Sequence, residues 1–270
     1  GELARGLALE LVDAHLEPAG RHGEFGAELV LVGLDLGHRH YGFYWQGANA
    51  EYNVYKTSAL HRIPDNVSYD VASMCDCAGV AFHGVQLAGV TPGGTSVVFG
   101  PGPIGLCAMQ ECKALGSGRV IMIGRGKKLE KARELGADVC IDFEKEDPVQ
   151  RVLELTGGVG ADEVMECSGA ADSPMKACKL VRKTGSVALI ATYHDPDVLI
   201  PVNTVNFNEI RIVGSKANPN VSEEVLNFFS TGAIQGEKLI THTFPLEEYE
   251  KAVDIFEHKK ENSIKVVIHP

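Results

Sequence analysis

An α/β fold with a doubly wound parallel sheet is what the 270-residue sequence predicts, on three observations. From about Thr95 onward, short β-branched runs alternate with segments of helical period, the pattern of βαβ units. Four crossovers of this kind follow one another. Right-handed crossovers stack helices on both faces, so an open sheet is the economical arrangement. Third, a glycine-rich turn, Gly100-Pro101-Gly102-Pro103-Ile104-Gly105, stands between the first of these strands and its helix.

In chain order, the strands are expected at Ser96–Phe99, Arg119–Ile123, Val139–Phe143, Glu163–Glu166, Val187–Ala191 and Ile210–Val213. Helices are expected between them at Ile104–Leu115, Lys128–Leu135, Pro148–Leu155 and Pro174–Lys183. Beyond Gly214 the alternation stops. Two more helices, Ser222–Ser230 and Pro245–Lys259, then precede a closing strand, Ile264–Ile268, and the second helix carries Glu247 and Glu248 in its first turn. Upstream, Ala50–Tyr55 alternates like a half-buried strand, and Leu60–Pro64 leads into a helix starting near Tyr69. Residues 1–40 lack Lys, Ser, Thr, Ile, Asn, Gln and Cys altogether, and no function is assigned to them.

Composition narrows the partners. At 44% hydrophobic and 23% charged the chain reads as globular, and no apolar run approaches the ~18 residues of a membrane span. Lys and Arg number 25 against 36 Asp and Glu, and the formal charge of −11 would repel a nucleic acid backbone on average. The seven cysteines are odd in number and mostly lie in apolar runs, which fits reduced, buried thiols. With no signal-like core in Gly1–Leu11, the expected compartment is the cytoplasm.

The glycine turn carries the chemistry. Following a strand and opening a helix, its glycines allow a tight turn, close backbone approach to a pyrophosphate and close helix packing, with the phosphates at the helix N-terminus. Gly100, Gly102, Pro103, Ile104 and Gly105 are therefore the expected phosphate-binding residues of a dinucleotide site. A carboxylate about 20 residues further on would recognise a ribose 2′-hydroxyl. Here the second strand instead runs into Gly124-Arg125-Gly126-Lys127-Lys128. A small residue followed by cations leaves room and donors for a 2′-phosphate, so Gly124, Arg125 and Lys128 point to NADP over NAD; the alternative is a solvated, basic helix start. Cys167 and Ala191 end strands on the same edge and would flank the ribose and nicotinamide.

From Ala50 to Pro270 the chain resembles the medium-chain, alcohol-dehydrogenase-like dehydrogenases, and among them the polyol (sorbitol) and threonine dehydrogenase branch. The matching pieces include Leu60-His61-Arg62-Ile63-Pro64, Gly89-Val90-Thr91-Pro92-Gly93, the glycine turn, Ala132-Arg133-Glu134-Leu135-Gly136-Ala137-Asp138, Gly158-Val159-Gly160-Ala161-Asp162, Glu166-Cys167-Ser168-Gly169 and Phe244-Pro245-Leu246. The resemblance implies an NAD(P)-dependent oxidoreductase acting on a secondary alcohol, polyol or ketone, assembled as a homodimer or homotetramer through the edge strand Asn208–Gly214. It implies a Rossmann domain over 78–214 and an incomplete GroES-like catalytic domain from 42–77 and 215–270, with 1–41 unassigned. In zinc-bearing members a catalytic Zn²⁺ polarises the substrate oxygen, held by an early Cys, a His followed by Glu, and a Cys or Glu just before the nucleotide domain. Only the last has a counterpart. Ungapped spacing puts Asp76 there, while the local match Cys77-Ala78-Gly79-Val80 favours Cys77, and both remain open. Residues 1–74 contain no cysteine, and His15, His22, His38, His40 and His61 lack the family's surroundings, so weak or substoichiometric zinc is expected. Two other readings are carried: a zinc-free quinone or enone reductase, and a chain that binds cofactor without turnover.

Overall fold

The computed structural model describes residues 8–9, 29–31, 52–55, 57–194 and 197–269. Two compact units emerge, one of Cys77–Val221 with Gly232–Gln235, the other from the remainder of the chain.

The first unit is a six-stranded parallel sheet: β1 Thr95–Phe99, β2 Arg119–Gly124, β3 Val139–Asp142, β4 Ala161–Glu166, β5 Val181–Leu189 and β6 Arg211–Gly214, in the order β6-β5-β4-β1-β2-β3. Helix α1, Cys75–Ala88, leads in, and α2 Pro103–Ala114, α3 Gly126–Glu134, α4 Pro148–Leu155 and α5 Ser173–Leu180 make the crossovers. Val97, Val98, Ile121, Met122, Val164, Met165, Val187 and Ala188 are wholly buried, neighbours on both faces alike. Such strands read as continuous apolar runs because helices cover both sides. Capping fixes one boundary: the Asp147 side chain accepts from the N–H groups of Val149 and Gln150, and Pro148 takes the first position of α4, where a missing N–H costs nothing.

Strand order places a switch point between β1 and β4, whose crossovers leave in opposite directions. Phe99 pairs with Ile123 on one side and Glu166 on the other, so the carboxyl ends of β1, β2 and β4 finish level. A crevice outside those ends is where ligands bind in open α/β sheets.

Two expected helices are corrected and one unexpected helix is added. The helix expected over Pro174–Lys183 stops at Leu180, because Val181 already pairs with Ala161. Arg182 then binds Asp162 at 2.7 Å and donates to Lys183 O and Thr184 Oγ1, and Thr184 turns the chain at φ 58° before Ser186 rejoins the ladder opposite Glu163. Helix α6, Val202–Asn208, was not anticipated. Pro245 does not open a helix but ends β7, Ile240–Pro245, which pairs in parallel with β8, Lys265–His269. The helical stretch that follows begins as a 3₁₀ turn, Leu246–Glu248, and continues as a helix over Tyr249–Glu257.

The second unit contains β7 and β8, α7 over Ser222–Thr231 and α8 over Tyr249–Glu257. Ser68 caps a single turn, Tyr69–Ala72, by accepting from Val71 N–H and donates to Glu237 at 2.8 Å. Two short pairings complete it: Leu29–Leu31 antiparallel with Leu60–Arg62, and Ala8–Leu9 parallel with Tyr52–Asn53. The expected strand Ala50–Tyr55 is thus shorter, its first two residues lying outside the described ones, as do His15, His22, His38 and His40.

Candidate cofactor site

The β1–α2 turn is shaped by backbone proximity. Gly100 turns at φ 90°, and a Cβ there would stand 2.8 Å from Ser168 Cα; a Cβ on Gly105 would fall 1.9 Å from Gly100 O. Neither position admits a side chain. Gly102 differs, since a Cβ there meets nothing within 4 Å, so no internal packing demands its glycine. Open space beside Gly102 adjoins the first turn of α2, where Ile104 and Gly105 carry N–H groups that an α-helix leaves without internal partners. Pro103, at the first helical position, has none to offer. This is a cradle for an anion at a helix N-terminus.

At the end of β2 the missing carboxylate has a packing cause. A Cβ on Gly124 would sit 2.5 Å from Pro101 Cγ and Cδ, so the proline of the glycine turn excludes any side chain. Arg125 follows as the N-cap of α3, exposed, its guanidinium 5.8 Å over the Phe143 ring and 2.6 Å from Glu144 Oε1. Lys128 lies in the same helix, half-buried in its first turn, and Lys127 is exposed. Cys167 and Ala191 follow β4 and β5 on the same edge; Cys167 N–H donates to Phe99 O and Ala191 N–H to Glu166 O, each at 3.0 Å. Burial and the adjacent Glu166 push the Cys167 thiol well above its usual range. All ten expected cofactor residues therefore share the carboxyl edge of one sheet.

Sequence reasoning missed Glu166 and Tyr193. Glu166 is wholly buried at the tip of β4; its Oε1 accepts from Ser168 N–H at 2.8 Å and from the Ser168 hydroxyl, and its Oε2 from Tyr193 at 2.5 Å and Gly169 N–H at 3.4 Å. The signal was available: a carboxylate closing an apolar strand, with a tyrosine two residues beyond Ala191.

The metal candidates lie in the first turn of α1, Asp76 exposed and Cys77 half-buried. His61 lies on a strand with Nδ1 3.6 Å from Glu223 Oε1, and burial lowers the pKa of His83.

Residues 103–231 match a family model described as zinc-binding dehydrogenase. A sorbitol dehydrogenase from Halalkalibacterium halodurans is 33% identical over 228 residues, 83% of this chain and 66% of that protein. The solved alcohol dehydrogenase TADH from Thermus sp. ATN1 superposes with a TM-score of 0.77 at 30% identity, covering 86% of this chain and 68% of that one. The chain belongs to the zinc-binding dehydrogenase family. A further solved member, a zinc-binding dehydrogenase from Sinorhizobium meliloti bound to NADP, has a TM-score of 0.78 at 27% identity, covering 86% of this chain and 68% of that one. The chain spans about two thirds of the length of the curated relatives it matches, 66% of the sorbitol dehydrogenase and 64% of a D-arabitol-phosphate dehydrogenase.

The two groups that the family implies fit unequally. A dinucleotide fits the residues present, because the open space at Gly102 and the α2 N-terminus suit a pyrophosphate. Catalytic zinc takes three protein ligands, and among the described residues no group of three His, Cys, Asp or Glu side chains could hold a metal. Zinc does not fit the donor set of the described residues.

Proposed function

We propose that this chain is an NAD(P)-dependent oxidoreductase of the alcohol and polyol type, with NADP the favoured cofactor. The observation that carries the reading is the turn at the switch point, where packing requires Gly100 and Gly105 while Gly102 opens onto free space. When bound, the nicotinamide supplies a hydride acceptor or donor to a secondary alcohol or its ketone. The chain's own residues bind and orient: Gly102, Ile104 and Gly105 take the pyrophosphate, Arg125 and Lys128 the 2′-phosphate, and Cys167 and Ala191 line the far ribose. The unit Cys77–Val221 serves as the dinucleotide domain, and the rest of the chain contributes the substrate side. Titration with NADPH and NADH, followed by turnover on secondary alcohols, polyols and their ketones, tests it; failure of both dinucleotides to bind at millimolar concentration would remove the reading.

A zinc-free quinone or enone reductase of the same superfamily is the second reading, favoured by the donor set just described. No described helix is long and apolar enough to cross a membrane, and none of the seven cysteines forms a disulfide, which suits a reducing cytoplasm. Edge strand β6 follows a segment exposing Leu199, Val202 and Phe207, a surface suited to pairing across a two-fold axis. Light scattering should give a dimer or tetramer; the 29.0 kDa monomer mass at tens of micromolar would contradict it.

A further inference from the structure

Glu166 joins two loops, one after β4 and one after β5. One of its oxygens takes the Ser168 N–H and hydroxyl from the loop after β4, and the other takes Gly169 N–H from that loop and the Tyr193 hydroxyl from the loop after β5. The carboxylate is wholly buried, so each donor is held in a medium where a hydrogen bond to a charged group counts for more than in water. Burial and this carboxylate push the Tyr193 phenol far up, so it keeps its proton and remains a donor.

Topology says which part of a ligand these loops would meet. In a dinucleotide crevice the pyrophosphate lies at the switch point, here between β1 and β4, and the adenosine ribose is read at the end of the next strand, here β2. The second nucleoside must then run the other way, over β4 and β5, the two strands whose following loops Glu166 ties together. We infer that Glu166 is a positioning residue that fixes the Tyr193 ring and the Ser168–Gly169 backbone as the seat of the nicotinamide half of the cofactor. The inference rests on the dinucleotide reading above, and it assigns to a buried carboxylate and a tyrosine the placing of the reactive ring.

Glutamine is a poor replacement at 166. If its oxygen serves Ser168, its amide nitrogen faces Gly169 N–H, donor against donor. Tyr193→Phe is the milder change, removing one hydroxyl and keeping the ring.

The test is calorimetric titration of the full chain, its Tyr193→Phe variant and its Glu166→Gln variant with NADPH and with 2′-phospho-ADP-ribose, which lacks only the nicotinamide. Tyr193→Phe is expected to weaken NADPH about tenfold and to leave 2′-phospho-ADP-ribose within about twofold. Glu166→Gln is expected to show the same split, more strongly. Equal weakening of both probes, or no change in either, overturns the inference, because a merely structural role cannot tell the probes apart. If the parent chain binds 2′-phospho-ADP-ribose and NADPH with equal affinity, nothing seats the nicotinamide and the inference falls while the cofactor site stands. Should the parent bind neither, the dinucleotide reading falls and this one with it.

Discussion

Glu111 lies in α2 with no exposed surface and with neither carboxylate oxygen hydrogen-bonded. Burial, with Cys77 nearby, raises its pKa well above the usual carboxylate range, so the fold holds it as the neutral acid. Its contribution to stability is therefore fully present below the unfolded carboxylate pKa and is lost as pH rises toward the raised folded value. Glu111→Leu should stabilise the chain at neutral pH by about 1–3 kcal/mol and flatten that pH dependence, read as urea unfolding midpoints between pH 5 and 8. An unchanged or lower midpoint at pH 8 would contradict this. Arg125 belongs to the same scale. Glu144 already takes one guanidinium nitrogen, and its carboxylate competes with a 2′-phosphate for that cation. Both side chains are more than half exposed, so the pair contributes little, ~0.2–1 kcal/mol. Glu144→Ala should accordingly tighten NADP by about 1.5-fold to fivefold, and Arg125→Ala should loosen it about tenfold, with NAD unmoved in each. Paired dissociation constants at one ionic strength decide it. Gly124→Asp, the change that the bare sequence suggests for switching the cofactor to NAD, is ruled out as a probe by the Pro101 ring.

Elements were legible where burial is symmetric. The strands from Thr95 to Glu166 are apolar on both faces, and only their ends differ by a residue or two from the sequence expectation. β7 was missed because its Ile240-Thr241-His242-Thr243-Phe244 alternation is weak in apolar residues, with His242 stacked on Phe244 6.3 Å apart in place of a run of branched side chains. The end of α5 was misplaced for a different reason. Val181–Gly185 owes its shape to the Arg182–Asp162 pair, a contact across 20 residues that periodicity does not register. Caps are local contacts within one or two turns. Asp147 closes the N-terminus of α4 through two backbone N–H groups, and Asp147→Ala should cost about 1 kcal/mol in a urea titration, whereas loss below ~0.3 kcal/mol would show the cap to be idle.

Across the whole molecule, one edge of one sheet gathers every expected cofactor residue, a consequence of strand order more than of any single motif. The glycine turn was readable because its residue types are forced by backbone contacts. Glu166 and Tyr193 carry a fainter signal, since a glutamate ending a strand looks ordinary until its four donors are seen. The metal side was legible only as a deficit, one ambiguous position at Asp76 or Cys77 where three ligands are needed.

If the space beside Gly102 is kept for a cofactor pyrophosphate, Gly102→Val should close it. With φ −84° and ψ −179° the backbone accepts any residue, and a Cβ meets no protein atom within 4 Å, so the fold should not notice the change. Binding should. Gly102→Val should keep the unfolding midpoint of the parent and lose at least about tenfold in affinity for both NADPH and NADH. Unchanged dissociation constants for the two dinucleotides would contradict it.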